Sequence, residues 1–444
     1  MMLLPLLLAA TPLSLDEVKA AARQNLDALR AELALTRAGL DRKDARSVIF
    51  PQVNLSLGAS ELLAGPQRRF TTAPQLQPDG SLTFVQRPVD LPAFAQGNFQ
   101  LGLTVNQLLY DGGRWWSQLA RTGALEEAAK GQLAEQQAAS ELEATRRFYE
   151  LLRAQLVFTA LEHQVTRSAE LLERARGLFE AGRAQRRDAL DAEVNLGNDR
   201  IAVLRQQQHV EAAQASLLQW LALPPADVEA RAPAAFAAPV RAPSLTPAQL
   251  LVAARQRRPL FAVLDAQGRG GRLAVELARA DYLPRVTASL GYGRSAPSGE
   301  LFVDPTRQHS LTLGASLSWD LFNGLQTDAL VERARTQLVE LERQQRQTLL
   351  ELESELVRAT KALAAQHAIH RLAEQNRGLA ETSFSAEQQR FAAGASTSLS
   401  VRDAQQRALA AELTALQTRV DVEVARAALE RLAGAPLAEL EQTP

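Results

Sequence analysis

Residues 101–116 read LGLTVNQLLYDGGRWW, and 212 positions from its centre residues 311–325 read LTLGASLSWDLFNGL. In the first, Leu101, Leu103 and Val105 alternate with Gly102, Thr104 and Asn106. In the second, Leu311, Leu313, Ala315, Leu317 and Trp319 alternate with Thr312, Gly314, Ser316 and Ser318. A period of two gives a strand one apolar and one polar face. Gly112 and Gly113, and later Gly324, then suit an abrupt turn, after which the period becomes helical. Each copy predicts a strand that passes directly into a helix.

The offset of 212 holds for roughly 120 residues, too long a register for coincidence. Leu109, Tyr110, Asp111 and Gly112 match Leu321, Phe322, Asn323 and Gly324; Phe179, Gly182 and Asp191 match Phe391, Gly394 and Asp403; Leu217 and Pro224 match Leu429 and Pro436. Upstream the offset becomes 232 to 233, pairing AARQ at 21–24 with AARQ at 253–256, and FPQVNLSLG at 50–58 with LPRVTASLG at 283–291. One connection absorbs the difference: ELLAGPQRRFTTAPQLQPDGSLTFVQRPVDLPAFAQGN at 61–98 is longer than RSAPSGELFVDPTRQH at 294–309. Both are rich in Pro and Gly and are expected to be loops.

The chain is therefore a duplication. A leader is expected over 1–12. The first repeat follows at 13–222, with strands 50–60 and 99–109 and a helical hairpin over 112–222. A Pro/Ala-rich linker covers 223–246. The second repeat takes 247–436, with strands 284–293 and 310–321 and a hairpin over 323–434, before a tail at 437–444. From Arg114 to Leu178 only scattered glycines interrupt the helical pattern, and about 65 residues of helix reach ~100 Å. Leu151, Phe158, Val165, Leu172 and Phe179 recur every seventh residue, with Ala154, Leu161, Ser168 and Ala175 three places on, a coiled-coil seam of small residues.

Composition excludes several classes of function. With 49 Lys and Arg against 50 Asp and Glu, there is no basic excess to bind nucleic acid. The absence of cysteine removes disulfides, thiolate metal sites and thiol nucleophiles, and suits an exported chain. The start, MMLLPLLLAATPLS, has the short apolar core of a secretory leader without its charged beginning. No run of about 18 apolar residues predicts a spanning helix.

Four strands of this length can cross a bilayer when tilted, yet four cannot do so alone. In lipid every backbone polar group must be paired, and closure of a barrel takes about eight strands or more. Copies must combine, three of them giving about 12 strands around a polar lumen. Tyr110, Trp115, Trp116, Trp319 and Phe322 stand at the strand-to-helix junctions, the level of an interfacial aromatic girdle; packing of the junction itself is the alternative.

Paired repeats carrying an LPR or FPQ strand start, the QLLYDGG junction, a long helix and an FEAG or FAAG turn resemble the TolC family of outer-membrane efflux and secretion ducts. The resemblance covers nearly the whole chain after the leader. It implies a membrane protein of mixed α and β structure, a homotrimer with a 12-stranded barrel in the lipid of a Gram-negative outer membrane and a helical barrel through the periplasm. It further implies an exit duct for a tripartite efflux pump or type I secretion system. The partners would be a periplasmic adaptor (membrane fusion) protein and an inner-membrane transporter of resistance-nodulation-division (RND), ATP-binding-cassette (ABC) or major-facilitator (MFS) type.

By the same resemblance the two glycine turns are periplasmic tips, and adaptor contact falls to Phe179, Gly182, Arg183, Arg390, Phe391, Gly394 and Ala395. A closed aperture just beyond them would be lined by carboxylates, here Asp188 and Asp403. Ser400 replaces the outer of the family's two second-repeat Asp residues, and Ser396 stands where a linking Arg is found. Arg187 and Arg402 are our candidates for the missing cations.

Catalytic readings find little support. His367 and His370 share a helix face in HAIH without an HExxH carboxylate; QGRGGR at 267–272 lacks the preceding strand of a phosphate loop; no GxSxG or oriented triad occurs. No enzyme, cofactor or metal is expected. A periplasmic adaptor or coiled-coil scaffold without a pore is the alternative, but it leaves the four alternating strands without purpose.

Overall fold

The computed structural model describes residues 11–182, 185–238, 244–296, 309–393 and 395–441. The leader expected over 1–12 lies outside them except for its last two residues, which join strand β1 (Thr11–Leu13).

Element boundaries repeat at the spacings of the sequence. In the first repeat α1 (Leu15–Ala22) and α2 (Leu26–Ser47) precede strands β2 (Gln52–Ala64), β3 (Gln67–Leu76), β4 (Leu82–Leu91) and β5 (Phe94–Tyr110); then come α3 (Arg114–Glu180) and α4 (Arg186–Trp220). Strand β6 (Val228–Ala230) and the short α5 (Ala234–Ala237) occupy the connection. The second repeat has α6 (Pro247–Arg257), α7 (Pro259–Arg279), β7 (Arg285–Ala296), β8 (His309–Ser318), α8 (Gln326–Ala392) and α9 (Ser398–Ala433), followed by α10 (Leu437–Leu440). Helices α3 and α8 are both 67 residues long, displaced by 212 at each end. The caps repeat too. Ser14 and Thr246 each accept from the backbone N–H three residues on, and Glu17 and Gln249 return the bond, a capping box that satisfies two otherwise orphaned donors.

The chain divides into two compact units, each drawing on both repeats. One holds residues up to Gly39, Ala124–Arg269 and the chain from Val339; the other holds Leu40–Gly123 and Gly270–Leu338.

In the second of these units β2, β5, β7 and β8 form one antiparallel sheet in the order β2-β5-β7-β8. The register sets apolar residues in rows: Val53, Val105, Leu290 and Leu313 in one, Leu55, Leu103, Tyr292 and Leu311 in the next. Between them run rows of Ser56, Gly102, Gly293 and Ser310, and of Asn54, Thr104, Gly291 and Thr312. The apolar rows are open: Leu55 is 68%, Leu311 71% and Leu313 80% exposed. Much of the face that alternation makes apolar is thus uncovered, with Leu101 and Val105 only partly shielded.

The segment 61–98, expected to be a loop, is mostly strand. β3 and β4 pair antiparallel as a two-stranded sheet, Gln67 opposite Leu91 through Leu76 opposite Leu82. Some of the Pro and Gly that suggested a loop sit at the interruptions, Gly65–Pro66 and Pro92, and at the turn, where Gly80 takes φ 83°; Pro74, Pro88 and Gly97 lie within strands, among enough Thr, Val and Phe to extend.

The other unit is helical, and its core is duplicated. Val18, Ala144, Leu151 and Leu217 are fully buried in one cluster; Leu250, Leu356, Leu363 and Leu429, their repeat equivalents, are at most 2% exposed in another. Burying each such leucine contributes roughly 1.5–3 kcal/mol. The α3 seam follows the heptad, with Leu151, Ala154, Ser168, Leu172 and Ala175 buried, and ends where Phe179 becomes 43% exposed.

Candidate functional site

The hairpin tips of the helical unit carry most of the singled-out residues. Helix α3 ends as Gly182 donates to the Phe179 carbonyl at 2.9 Å and takes φ 69°, the left-handed conformation that glycine adopts without steric cost. Nothing lies near a Cβ built there, so the backbone angle alone demands the glycine. At the second tip Ala395 donates to the Arg390 carbonyl at 2.8 Å. Arg183 and Gly394 lie outside the described residues.

Each return helix starts on a polar cap. The Gln185 N–H donates to Asp188 Oδ2 at 3.2 Å, and the Ser400 N–H donates to Thr397 Oγ1 at 3.2 Å. Asp188 also places a negative charge in the first turn of α4, where the helix dipole favours it. Phe391 packs with Phe384, Val401 and Leu171, joining α8 and α9 to α3. Arg390 remains exposed and pairs with Glu387 at 3.3 Å.

Around these caps the two repeats enclose a cleft of about 350 Å³. Asp188, Asp191, Arg187 and Asn195 line it from α4, Phe391 from α8, and Leu399 and Arg402 from α9, with Ser168 and Ala175 of α3 at its back. Thus Asp188, Arg187, Arg402 and Phe391 come together, while Asp403 and Ser400 are outside the lining.

The charges do not pair as expected. Arg187 reaches Asp191 at 3.5 Å, both strongly exposed. Asp403 pairs with Arg407 one turn along its own helix. Arg402 turns inward and grips Asp199 of α4 with both guanidinium nitrogens, at 2.7 and 2.8 Å, each side chain only about a tenth exposed. Ser168 donates to Asp199 and accepts from Arg402 at 3.0 Å; Gln164 reaches Asp199 at 3.4 Å, and Gln405 reaches Ser168 at 3.3 Å. Arg402 is thereby a brace between α4 and α9 in one copy rather than a free cation beside Asp403. Bidentate charge-assisted bonds of this kind are strong and directional.

Sequence reading missed Asp199. Repeat matching cannot find it, because the position 212 further on is Ala411. Its one signal was Ser168, read as a small seam residue, whose hydroxyl in fact serves the network.

The aromatic residues of the sheet unit also divide. Trp116, Trp319, Tyr110 and Phe322 are exposed, at 67%, 52%, 46% and 80%. Trp115, expected in the same girdle, is 9% exposed, and its indole N–H donates to the Ala45 carbonyl at 2.8 Å. Its burial and that indole bond make it a packing residue of the junction, with its backbone N–H held by Asp111 Oδ2 at 2.8 Å. Gly112 is doubly required there: φ is 70°, and a Cβ would lie 2.7 Å from the Ala280 carbonyl oxygen.

His370 is buried with Nδ1 3.1 Å from Thr418 Oγ1. Among the described residues no group of three or more His, Cys, Asp or Glu side chains is arranged to hold a metal ion, and no helix is long and apolar enough to cross a membrane.

Comparison with known proteins gives the family context. The outer membrane efflux protein family model matches residues 250–435. Protein CyaE of Bordetella pertussis is 30% identical over 333 residues, 73% of this chain; the chain spans 64% of that relative's length. Among solved structures, the outer-membrane channel OprN superposes with a TM-score of 0.72 at 21% identity, covering 95% of this chain and 90% of OprN. The open-state MtrE outer membrane channel of Neisseria gonorrhoeae gives 0.75 at 15%, covering 95% and 89%. The fold is that of TolC-like outer-membrane channels, a long helical part joined to strands, as the resemblance implied.

Proposed function

For a chain with the TolC-like outer-membrane channel fold, whose residues 250–435 match the outer membrane efflux protein family, we propose service as the exit duct of an export machine in a Gram-negative outer membrane. The observation that carries this is the sheet. Four antiparallel strands expose rows of Val, Leu and Tyr on one face and Ser, Gly, Thr and Asn on the other, with β2 and β8 as open edges. Open edges and an uncovered apolar face are untenable in water and become complete when copies close a barrel in lipid, apolar rows outward. A homotrimer supplies about 12 strands and leaves a polar lumen.

In this reading the helical hairpin tips face an adaptor protein, which links the duct to an inner-membrane transporter of RND, ABC or MFS type. The outer membrane efflux protein match over residues 250–435 favours efflux as the task. The exposed Phe179 and Arg390 and the cleft beside Phe391 are the contact surface. Asp188 and Asp403 ring the aperture; exposed pairs contribute about 0–1 kcal/mol each, weak enough for a docking partner to part. The chain is a passage, and its work is steric and electrostatic rather than catalytic.

Fractionation tests the reading. The protein should resist carbonate extraction from outer membranes, run as a trimer in mild detergent, and conduct ions in planar bilayers. Recovery as a soluble single copy would overturn it in favour of a scaffold. Combining Asp188→Ala with Asp403→Ala should raise single-channel conductance; unchanged conductance in a folded trimer removes the aperture assignment.

A further inference from the structure

The hairpin β3–β4 is the part of the molecule that the duplication does not account for, and its register is informative. Pairs in β2–β5 run from Gln52 with Asn106 to Ala64 with Phe94, and pairs in β3–β4 from Gln67 with Leu91 to Leu76 with Leu82; the two numbers of every pair add to 158 in both ladders. The four strands are therefore one continuous ribbon, interrupted for two residues on each side at Gly65–Pro66 and Pro92–Ala93, where proline supplies no N–H. No bulge intervenes, so odd and even positions keep their faces across the break. Strand β7 accompanies the ribbon as far as Phe99, paired with Ala296. Among the described residues, β3 and β4 pair with each other and with no third strand.

The large, strongly exposed apolar side chains change face along the ribbon. Where β2 and β5 pair in the four-stranded sheet, odd positions are apolar (Val53, Leu55, Leu57, Leu101, Leu103, Val105) and even ones polar (Asn54, Ser56, Gly102, Thr104). In the arm the even face carries Phe70 opposite Pro88, Pro74 opposite Phe84, and Leu76 opposite Leu82. The odd face mixes Gln67, Arg69, Thr71, Gln75, Thr83 and Arg87 with the smaller or less exposed Ala73, Val85, Val89 and Leu91. Phe70, Leu76, Leu82 and Phe84 are each at least 64% exposed. The only charges on the even face are Arg68 and Asp90, which neutralise each other through two bonds of 2.7 and 3.1 Å. An isolated two-stranded ribbon is marginal in water, so this face needs a cover. Lipid is a poor one, because Arg69 and Arg87 on the reverse face would enter with it.

We propose that the cover is the same face of the sister copies: three arms meet even face to even face over the outer mouth of the duct and narrow it. This rests on the trimeric reading. In a closed barrel the polar rows face the lumen, so the even face of each arm continues the side nearest the axis. Across that axis lie the other two arms, each with the same aromatic and proline stripe. The self-neutralised Arg68–Asp90 pair lets the stripes approach without a buried net charge.

The absence of cysteine makes the test direct. Single variants Phe70→Cys and Phe84→Cys (even face) and Thr71→Cys and Val85→Cys (odd face) are placed in the full chain in outer-membrane vesicles and mildly oxidised. Even-face variants should form linked pairs within the trimer about tenfold faster than their odd-face neighbours, because convergence raises the effective thiol concentration on one face only. Combining Phe70→Ser with Phe84→Ser should raise conductance if the stripe narrows the mouth. Equal rates on both faces, no even-face linkage in a confirmed trimer, or linkage to a foreign protein instead overturns the arm packing while leaving the duct intact. A monomeric chain overturns both.

Discussion

Leu325 takes φ 67° in the place that Gly113 fills at φ 85° in the first repeat. A left-handed backbone costs a residue with a Cβ about 1–2 kcal/mol, and for a leucine it is an uncommon choice. The turn recurs in the second repeat without the residue suited to it. Leu325→Gly should therefore stabilise the protein by about 1 kcal/mol, measured as an upward shift in the thermal midpoint of the purified protein. The Arg402–Asp199 brace makes the opposite prediction. Asp199→Ala leaves a guanidinium that is about a tenth exposed without its carboxylate and should cost about 3–5 kcal/mol, whereas replacing both partners, Asp199→Leu with Arg402→Met, should recover most of it. Equal losses in the single and double variants would show that shape rather than charge matters there.

At the scale of elements, helix starts and helix pairing decide most. Thr246 caps α6 and accepts the Gln249 N–H, so Thr246→Ala should lower stability by about 1 kcal/mol. The pairing of α8 with α9 includes His370, which contacts Thr418 of α9. Burial, foremost, holds the His370 imidazole below its usual range, with Glu374 opposing and Arg419 reinforcing the shift. His367 is lowered as well, first by burial and then by His370, Arg419 and Arg426. A histidine with a depressed folded pKa binds more protons unfolded than folded, so its contribution is present above its ordinary value of 6.5 and is lost as pH falls through the lower, folded value. Combining His367→Gln with His370→Gln should flatten the fall in melting temperature on acidification below about pH 6.5; an unchanged slope would place the acid sensitivity elsewhere.

For the whole molecule, the sheet in a single copy is an unfinished surface. Leu313, 80% exposed, and its neighbour Thr312 point to opposite faces of β8. If copies close a barrel with the apolar rows in lipid, Leu313→Arg should cost about 2–4 kcal/mol and lower trimer yield, while Thr312→Arg on the lumen side should cost far less and alter conductance. A soluble assembly would reverse or erase that contrast. In such a barrel, stability would belong to the assembled copies and depend on their concentration, so yield at fixed expression is the appropriate measurement.

The linear chain by itself determined the duplication, two very long helices and the alternating strands, because each is written in local periodicity that survives without any knowledge of packing. It also indicated the tips: Gly182 needs its left-handed turn whatever lies around it. The ribbon over 61–98 was illegible because proline and glycine mark interruptions and loops alike, and only pairing tells them apart. Trp115 and Trp116 are adjacent and chemically identical, yet one donates to Ala45 inside the junction and the other stands outside. Asp199 has no repeat equivalent, and its partner is 203 residues away. Those outcomes belonged to tertiary structure alone, since burial and partner choice depend on which helices meet, and a charge is committed only when a partner is brought within hydrogen-bonding distance.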